Sequence, residues 1–251
     1  MMWKRPGIVH SRGSSPAARS SQAMPKKPEK QAPETTAQKR ARARRIYEAL
    51  TALYPDVKCT LDHQTPHQLL VATILAAQCT DEKVNQVTPA LFERYPDVRA
   101  FAEADIVELE SIIRPTGFFH QKAKAIIASA QDILSRFDGQ VPETIDELIT
   151  LQGVGRKTAN VIVGVAFGKP AVIVDTHVKR IANRLGLTAN TDPDRIETDL
   201  REILDESFYT IFNHLIVAHG RTVCKAQKPQ CPDCGLLELC PFGKKELGIK
   251  S

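Results

Sequence analysis

Four of the six cysteines in this 251-residue chain fall close together as Cys224-x6-Cys231-x2-Cys234-x5-Cys240. Four thiolates at this spacing suit a zinc ion or an iron–sulfur cluster, and spacing by itself leaves both open. Either group would clip together a loop too short to fold unaided, so the last segment must be organised around it. Paired disulfides are the weaker alternative, because six cysteines at this length make no disulfide scaffold. Thiols gathered as ligands point to a reducing compartment. Cys59 and Cys79 lie outside the pattern and are expected to be small core residues.

The rest of the chain reads as helices. Ile46, Leu50 and Leu53 form an i, i+4, i+7 stripe. Thr65-Pro66-His67-Gln68 offers an N-cap threonine, a proline at N1 and a glutamine at N3, which opens the apolar helix Leu69–Ala77. Thr144 with Glu147, and Asp192-Pro193, are two further helix starts. Helical periodicity also fits 83–94, 106–113, 120–136, 156–167, 177–185 and 208–219. Only Ala171–Val174 is a β-branched apolar run, and four residues make no sheet. The expected fold class is all-α.

Charge is divided unevenly. Residues 1–45 carry twelve Lys and Arg against Glu29 and Glu34, so the other 206 residues are net negative by five within a total of +5. A polyanion must therefore meet a local patch on the body rather than its overall charge. Segment 1–37 lacks apolar periodicity and reads as a disordered basic tail with no secretory core. Its Arg- and Ser-rich, acid-poor character has something of an organelle transit peptide. A solvated tail with weak polyanion attraction is the preferred reading, and Met24 is an alternative start. No apolar run approaches the roughly 18 residues of a membrane span. The apolar (42%) and charged (25%) fractions are those of a folded globular chain, not a disordered or collagen-like one.

Two short stretches carry chemistry. In Leu151-Gln152-Gly153-Val154-Gly155-Arg156-Lys157-Thr158, two glycines flank one apolar residue at the start of a helix. Without Cβ atoms such a turn brings free backbone N–H groups close to an anion, with Val154 as its plug into the core. This is the helix-hairpin-helix way of holding a DNA phosphate without reading sequence, set against a plain interhelical turn. The Gly-x-x-x-x-Gly-Lys-Ser/Thr spacing of a P-loop is absent. Lys157 stands in the first helical turn, where a cation opposes the helix dipole. That place suits a lysine used as a neutral nucleophile. Downstream, Asp175 ends the run Ala171–Val174 and opens the next helix. It reads as an N-cap, and a capping carboxylate fixes a negative charge of the kind an oxocarbenium ion requires nearby. Lys157 and Asp175 lie on successive helix starts. Lys225 and Lys228, between the first two clustered cysteines, place positive charge on that loop for backbone phosphates.

In this order, the hairpin, lysine, aspartate and cysteine spacing resemble the endonuclease III family of DNA glycosylases with abasic-site lyase activity. The resemblance covers about Ala37 to Phe242 and is carried by Gly153–Asn160, Val174–His177 and the four cysteines. It implies a helix-hairpin-helix DNA glycosylase fold with two helical domains and a DNA groove between them. A six-helix barrel, 59–169, is inserted into a second domain made of 38–58 and 170–251, which ends in an iron–sulfur loop. Cys224, Cys231, Cys234 and Cys240 then hold a [4Fe–4S] cluster rather than zinc. Lys157 becomes the nucleophile and Asp175 the essential carboxylate, while Gly153, Val154, Gly155 and Arg156 hold DNA. Gln78 fills the gap left by a flipped nucleotide, Phe118 wedges into the opposite strand, and His177 contacts DNA beside the site. The family often has an aliphatic residue where this chain has Phe118, which bears on opposite-base preference.

The implied function is a bifunctional glycosylase and lyase of base excision repair. It removes oxidised pyrimidines through a lysine Schiff base and cleaves on the 3′ side by β-elimination. The implied partner is double-stranded DNA with damaged pyrimidines or abasic sites, met by a monomer in the bacterial cytoplasm at the nucleoid. One alternative is a monofunctional mismatch glycosylase. Adenine-mismatch enzymes lack the lysine, carry a catalytic Glu in the helix before Gln78 and bear a C-terminal extension. Leu69–Ala77 has no carboxylate, and little chain follows Cys240. Thymine-mismatch enzymes also generally lack the lysine. The other alternative is a non-catalytic DNA-binding module that uses hairpin and cluster as architecture.

Overall fold

Eight helices start on a threonine or aspartate whose side chain accepts a first-turn N–H. In the computed structural model, which describes residues 34–249, these are α1 (Thr36–Leu53), α2 (Pro66–Leu75), α3 (Asp81–Arg94), α4 (Val98–Ala102), α5 (Ile106–Ile113), α7 (Ile145–Leu148), α9 (Thr176–Arg184) and α10 (Pro193–Ile203). Each such cap satisfies a donor the helix cannot, at about 1 kcal/mol. Cys240 plays the same part through sulfur for α12 (Pro241–Glu246). Three helices lack a side-chain cap: α6 (Phe119–Arg136), α8 (Arg156–Val161) and α11 (Tyr209–Thr222). The first two carry Phe118 and the glycine hairpin at their N-termini. The described residues form no strand, and the fold is all-α.

Two hydrophobic cores divide the helices. One is built from α2 to α8 and includes Leu69, Phe101, Ile126, Val154 and Ile162. The other joins α1 to α9, α10, α11 and the cysteine loop through Ile46, Ile181, Phe212 and Leu236. The chain passes between them twice. Val57 packs on the second core and Cys59 on the first, while Ala171 belongs to the first and Val172 to the second. The β-branched run is thus an extended, buried strap crossing from one core to the other, directly before Asp175.

Several sequence expectations change in three dimensions. Residues 1–33 of the basic tail lie outside the described residues, but its last four residues are ordered. Thr35 and Gln38 form a reciprocal capping box for α1, and Glu34 pairs with Arg42 at 2.7 Å. Leu53 is 47% exposed, because the last turn of α1 leaves the core. The helix 156–167 becomes a short α8 followed by a π turn, Ile162–Ala166. Helices α4 and α12 are too short for periodicity to reveal, though Asp97 and Pro241 mark their starts. Among the described residues no helix is long and apolar enough to cross a membrane.

Candidate active site

Lys157 and Asp175 line the same open pocket between the two cores, together with Gln78, Asp81, His214 and Arg221. Lys157 is the second residue of α8 and is exposed at the pocket wall. Asp175 reaches it from the end of the strap. Its Oδ1 accepts the Val178 N–H at 2.7 Å, which fixes the carboxylate as the cap of α9. The strap is held in turn by the buried Asn213, whose amide donates to the Ile173 carbonyl at 3.0 Å. Within the first turn of α9, His177 Nδ1 lies 3.4 Å from Asp175 Oδ2. The imidazole lies where α11 has no side chain: a Cβ on Gly220 would be 2.6 Å from His177 Cδ2.

A second carboxylate faces the lysine. Asp81, at the start of α3, accepts from Thr60 Oγ1 at 2.5 Å and from Arg221 Nη2 at 2.8 Å. Burial pushes its carboxyl up, but hydrogen bonds from Arg221 and Thr60, with the charges of Arg221 and Lys157, outweigh this and hold it below its usual value. Burial pushes the His214 imidazole down against the pull of Asp175. Cys59 and Cys79 line this pocket as well as packing on the first core, which sequence reading did not foresee. Asp81, Asn213 and His214 were also missed. Their only sequence signals were a helix start and a helix face, which do not distinguish a site from a surface.

Residues 71–206 match the family described as HhH-GPD superfamily base excision DNA repair protein. A Synechocystis sp. protein named endonuclease III is 55% identical over 206 residues, which is 82% of this chain and 94% of that one. The chain belongs to the endonuclease III family. It is a base excision repair enzyme, a DNA glycosylase. The endonuclease III of Bacillus subtilis is 42% identical over 194 residues, 77% of this chain and 89% of its own. The solved structure of a non-covalent endonuclease III–DNA complex superposes with a TM-score of 0.79 at 41% identity, covering 83% of this chain and 98% of the other.

In this family member the hairpin is a true turn. Gly153 has φ +80°, and a Cβ there would lie 2.5 Å from the Cβ of Ala125 in α6. Val154 is buried in the first core. Gly155 leaves the first turn of α8 without a side-chain cap, so its N–H donors are available to an external acceptor. Arg156, next in the chain, sends its side chain to the second core. Its guanidinium is bound bidentately by the buried Glu197, at 2.9 Å for each oxygen.

Gln78 and Phe118 stand on two exposed turns, Phe118 being 58% exposed. Lys225 and Lys228 are both exposed on the cysteine loop. Arg184 clamps that loop by donating to the Lys225 and Ala226 carbonyls at 2.7 and 2.9 Å. All four clustered cysteines line a single cavity with Arg184 and His219. Arg184 Nη1 lies 3.3 Å from Cys224 Sγ, and His219 Nε2 lies 3.6 Å from Cys234 Sγ. Burial pushes the thiols of Cys231, Cys234 and Cys240 up, and the neighbouring thiols add to the effect.

Proposed function

We propose that this chain is a bifunctional glycosylase and abasic-site lyase acting on oxidised pyrimidines in double-stranded DNA, with Lys157 as nucleophile. The observation that carries the reading is the convergence of an exposed lysine and a capped carboxylate on one open pocket. A base must leave the stack before its C1′ is reachable, which costs a few kcal/mol and less for a damaged base. Lys157 Nζ then forms a bond to C1′ as the glycosidic bond breaks, and the base departs with that electron pair. The Asp175 carboxylate, held in place by the Val178 N–H, stabilises the positive charge that spreads over C1′ and O4′. Loss of the amine proton and opening of the C1′–O4′ bond give an iminium. Removal of a C2′ proton and departure of the 3′ phosphate then complete β-elimination, and water releases Lys157.

DNA would be gripped at the hairpin, where Gly155 lets backbone N–H groups approach a phosphate, and at Lys225 and Lys228. Gln78 and Phe118 would enter the duplex, and His177 would stand beside the flipped nucleotide. We place this monomeric enzyme at the nucleoid.

The cysteine cavity fits a [4Fe–4S] cluster. Cys224, Cys231, Cys234 and Cys240 line one cavity, and a donor set of four thiols suits such a cluster. Crowded thiols that resist ionisation are relieved by a cationic metal core. Cys224, Cys231, Cys234 and Cys240 would hold it. When bound, the cluster supplies a four-armed cross-link and one-electron redox capacity.

The test is borohydride trapping on duplexes bearing oxidised pyrimidines. The parent protein should form a covalent adduct, and Lys157→Gln should form none while still binding DNA. Undiminished trapping by Lys157→Gln would overturn the nucleophile. About four irons per chain are expected in the purified protein, and stoichiometric zinc would overturn the cluster.

A further inference from the structure

Gln78 and Phe118 both hold left-handed backbone, with φ of 54° and 49°. Non-glycine residues keep that conformation only where their surroundings enforce it. The two are 40 positions apart, one beyond α2 and the other at the N-cap of α6. What joins their turns is Lys122. Its Nζ donates at 2.8 Å to the Leu75 carbonyl at the end of α2, and at 2.8 Å to the Thr116 carbonyl two residues before Phe118.

Lys122 is 4% exposed, and its amine lies within ion-pair distance of no carboxylate among the described residues. A buried ammonium is costly unless its donors are satisfied. Here the acceptors are carbonyls that terminate two helical segments, where the helix dipoles place partial negative charge. The side chain thus satisfies two chain ends at once and fixes the distance between them. Thr116 is itself pinned, its hydroxyl donating to the Ile113 carbonyl at 2.8 Å.

We propose that Lys122 is a positioning residue that locks the Gln78 and Phe118 turns into one rigid two-pronged unit, which enters the duplex as a single body. This rests on the glycosylase reading above. Filling the vacated space and holding the opposite strand apart are then one event, because neither prong moves relative to the other. The amine never touches DNA.

The test uses two duplexes: thymine glycol paired with adenine, and thymine glycol opposite a tetrahydrofuran abasic residue. The second has no partner base to separate or hold. Under single turnover, Lys122→Met should lose about tenfold or more on the first duplex, with misplacement of the prongs as the cause. On the second it should stay within about twofold of the parent. Equal losses on both duplexes, or none on the first, would mean a merely structural lysine and overturn the proposal. A double-mutant cycle of Gln78→Ala and Phe118→Ala needs no Lys122 variant to fold. A single unit predicts a double variant hardly slower than the worse single variant, whereas additive losses refute it. A parent protein that leaves thymine glycol intact in both duplexes would remove the glycosylase reading itself, and this inference with it.

Discussion

Arg156 and Glu197 face each other across the two cores as a bidentate pair, with Nε–Oε2 and Nη2–Oε1 both 2.9 Å. The carboxylate side chain is 5% exposed and also accepts from Asn160 and Arg201. Removing the arginine leaves a buried charge with fewer partners, and part of the cost is relieved because the guanidinium is itself partly exposed. Arg156→Met should therefore lower stability by about 2 kcal/mol in urea unfolding. The salt dependence of DNA binding should keep its slope. A slope smaller by about one phosphate contact would show that the guanidinium grips DNA after all.

Asp175 caps α9, and substitution can separate that from the electrostatic role proposed for it. Asparagine caps a helix about as well as aspartate, so Asp175→Asn should retain the fold and its thermal midpoint. It removes the fixed negative charge from the pocket that Lys157 lines. Single-turnover base release should fall by about a hundredfold or more, with DNA affinity retained. Wild-type release rates in the variant would show that the carboxylate serves α9 alone.

The two hairpin glycines should respond differently to alanine. Gly153→Ala meets both a positive φ and the Ala125 Cβ at 2.5 Å, so it should destabilise the protein and lower its melting temperature. Gly155 has φ −90° and nothing within 4 Å of an added Cβ. Gly155→Ala should melt with the parent and yet bind abasic-site duplex more weakly, as its methyl holds the phosphate away. Equal affinity in calorimetry would place the phosphate elsewhere.

His67 makes stability depend on pH. Its ring lies edge-on to Phe101 at 5.2 Å, and its Nε2 is buried with no hydrogen-bond partner. Burial pushes its pKa down to about 4, against an opposing pull from Asp97. The unfolded chain takes up this proton near pH 6.5, so between that value and 4 it binds more protons than the folded state. Stability is therefore present above that window and is lost as pH falls through it. Unfolding free energy should drop by about 2 kcal/mol more between pH 7 and pH 5 in the parent than in His67→Leu. Parallel profiles for the two proteins would refute the assignment.

Much of this enzyme is written in local sequence. Thr65, Thr144, Asp175 and Asp192 cap helices where the residue pattern says they should, because a cap acts over three residues. Ile46 and Leu50 are fully buried for the same short-range reason. The four cysteines, the glycine hairpin and Lys157 are legible because each is a spacing along one segment.

What the sequence leaves open is everything that joins segments far apart. Asp81 meets Arg221 across 140 positions, Arg156 meets Glu197 across 41, and Lys122 reaches back 47 residues to Leu75. No periodicity encodes such pairs, since they depend on how two cores pack and where an extended strap crosses between them. By itself the chain determined most helix starts and the local spacings of the hairpin and the cysteines. The tertiary structure decided that Arg156 belongs to Glu197, and that the amine of Lys157 shares its pocket with two carboxylates. Charges and hydrogen bonds act through space, and only packing sets those distances.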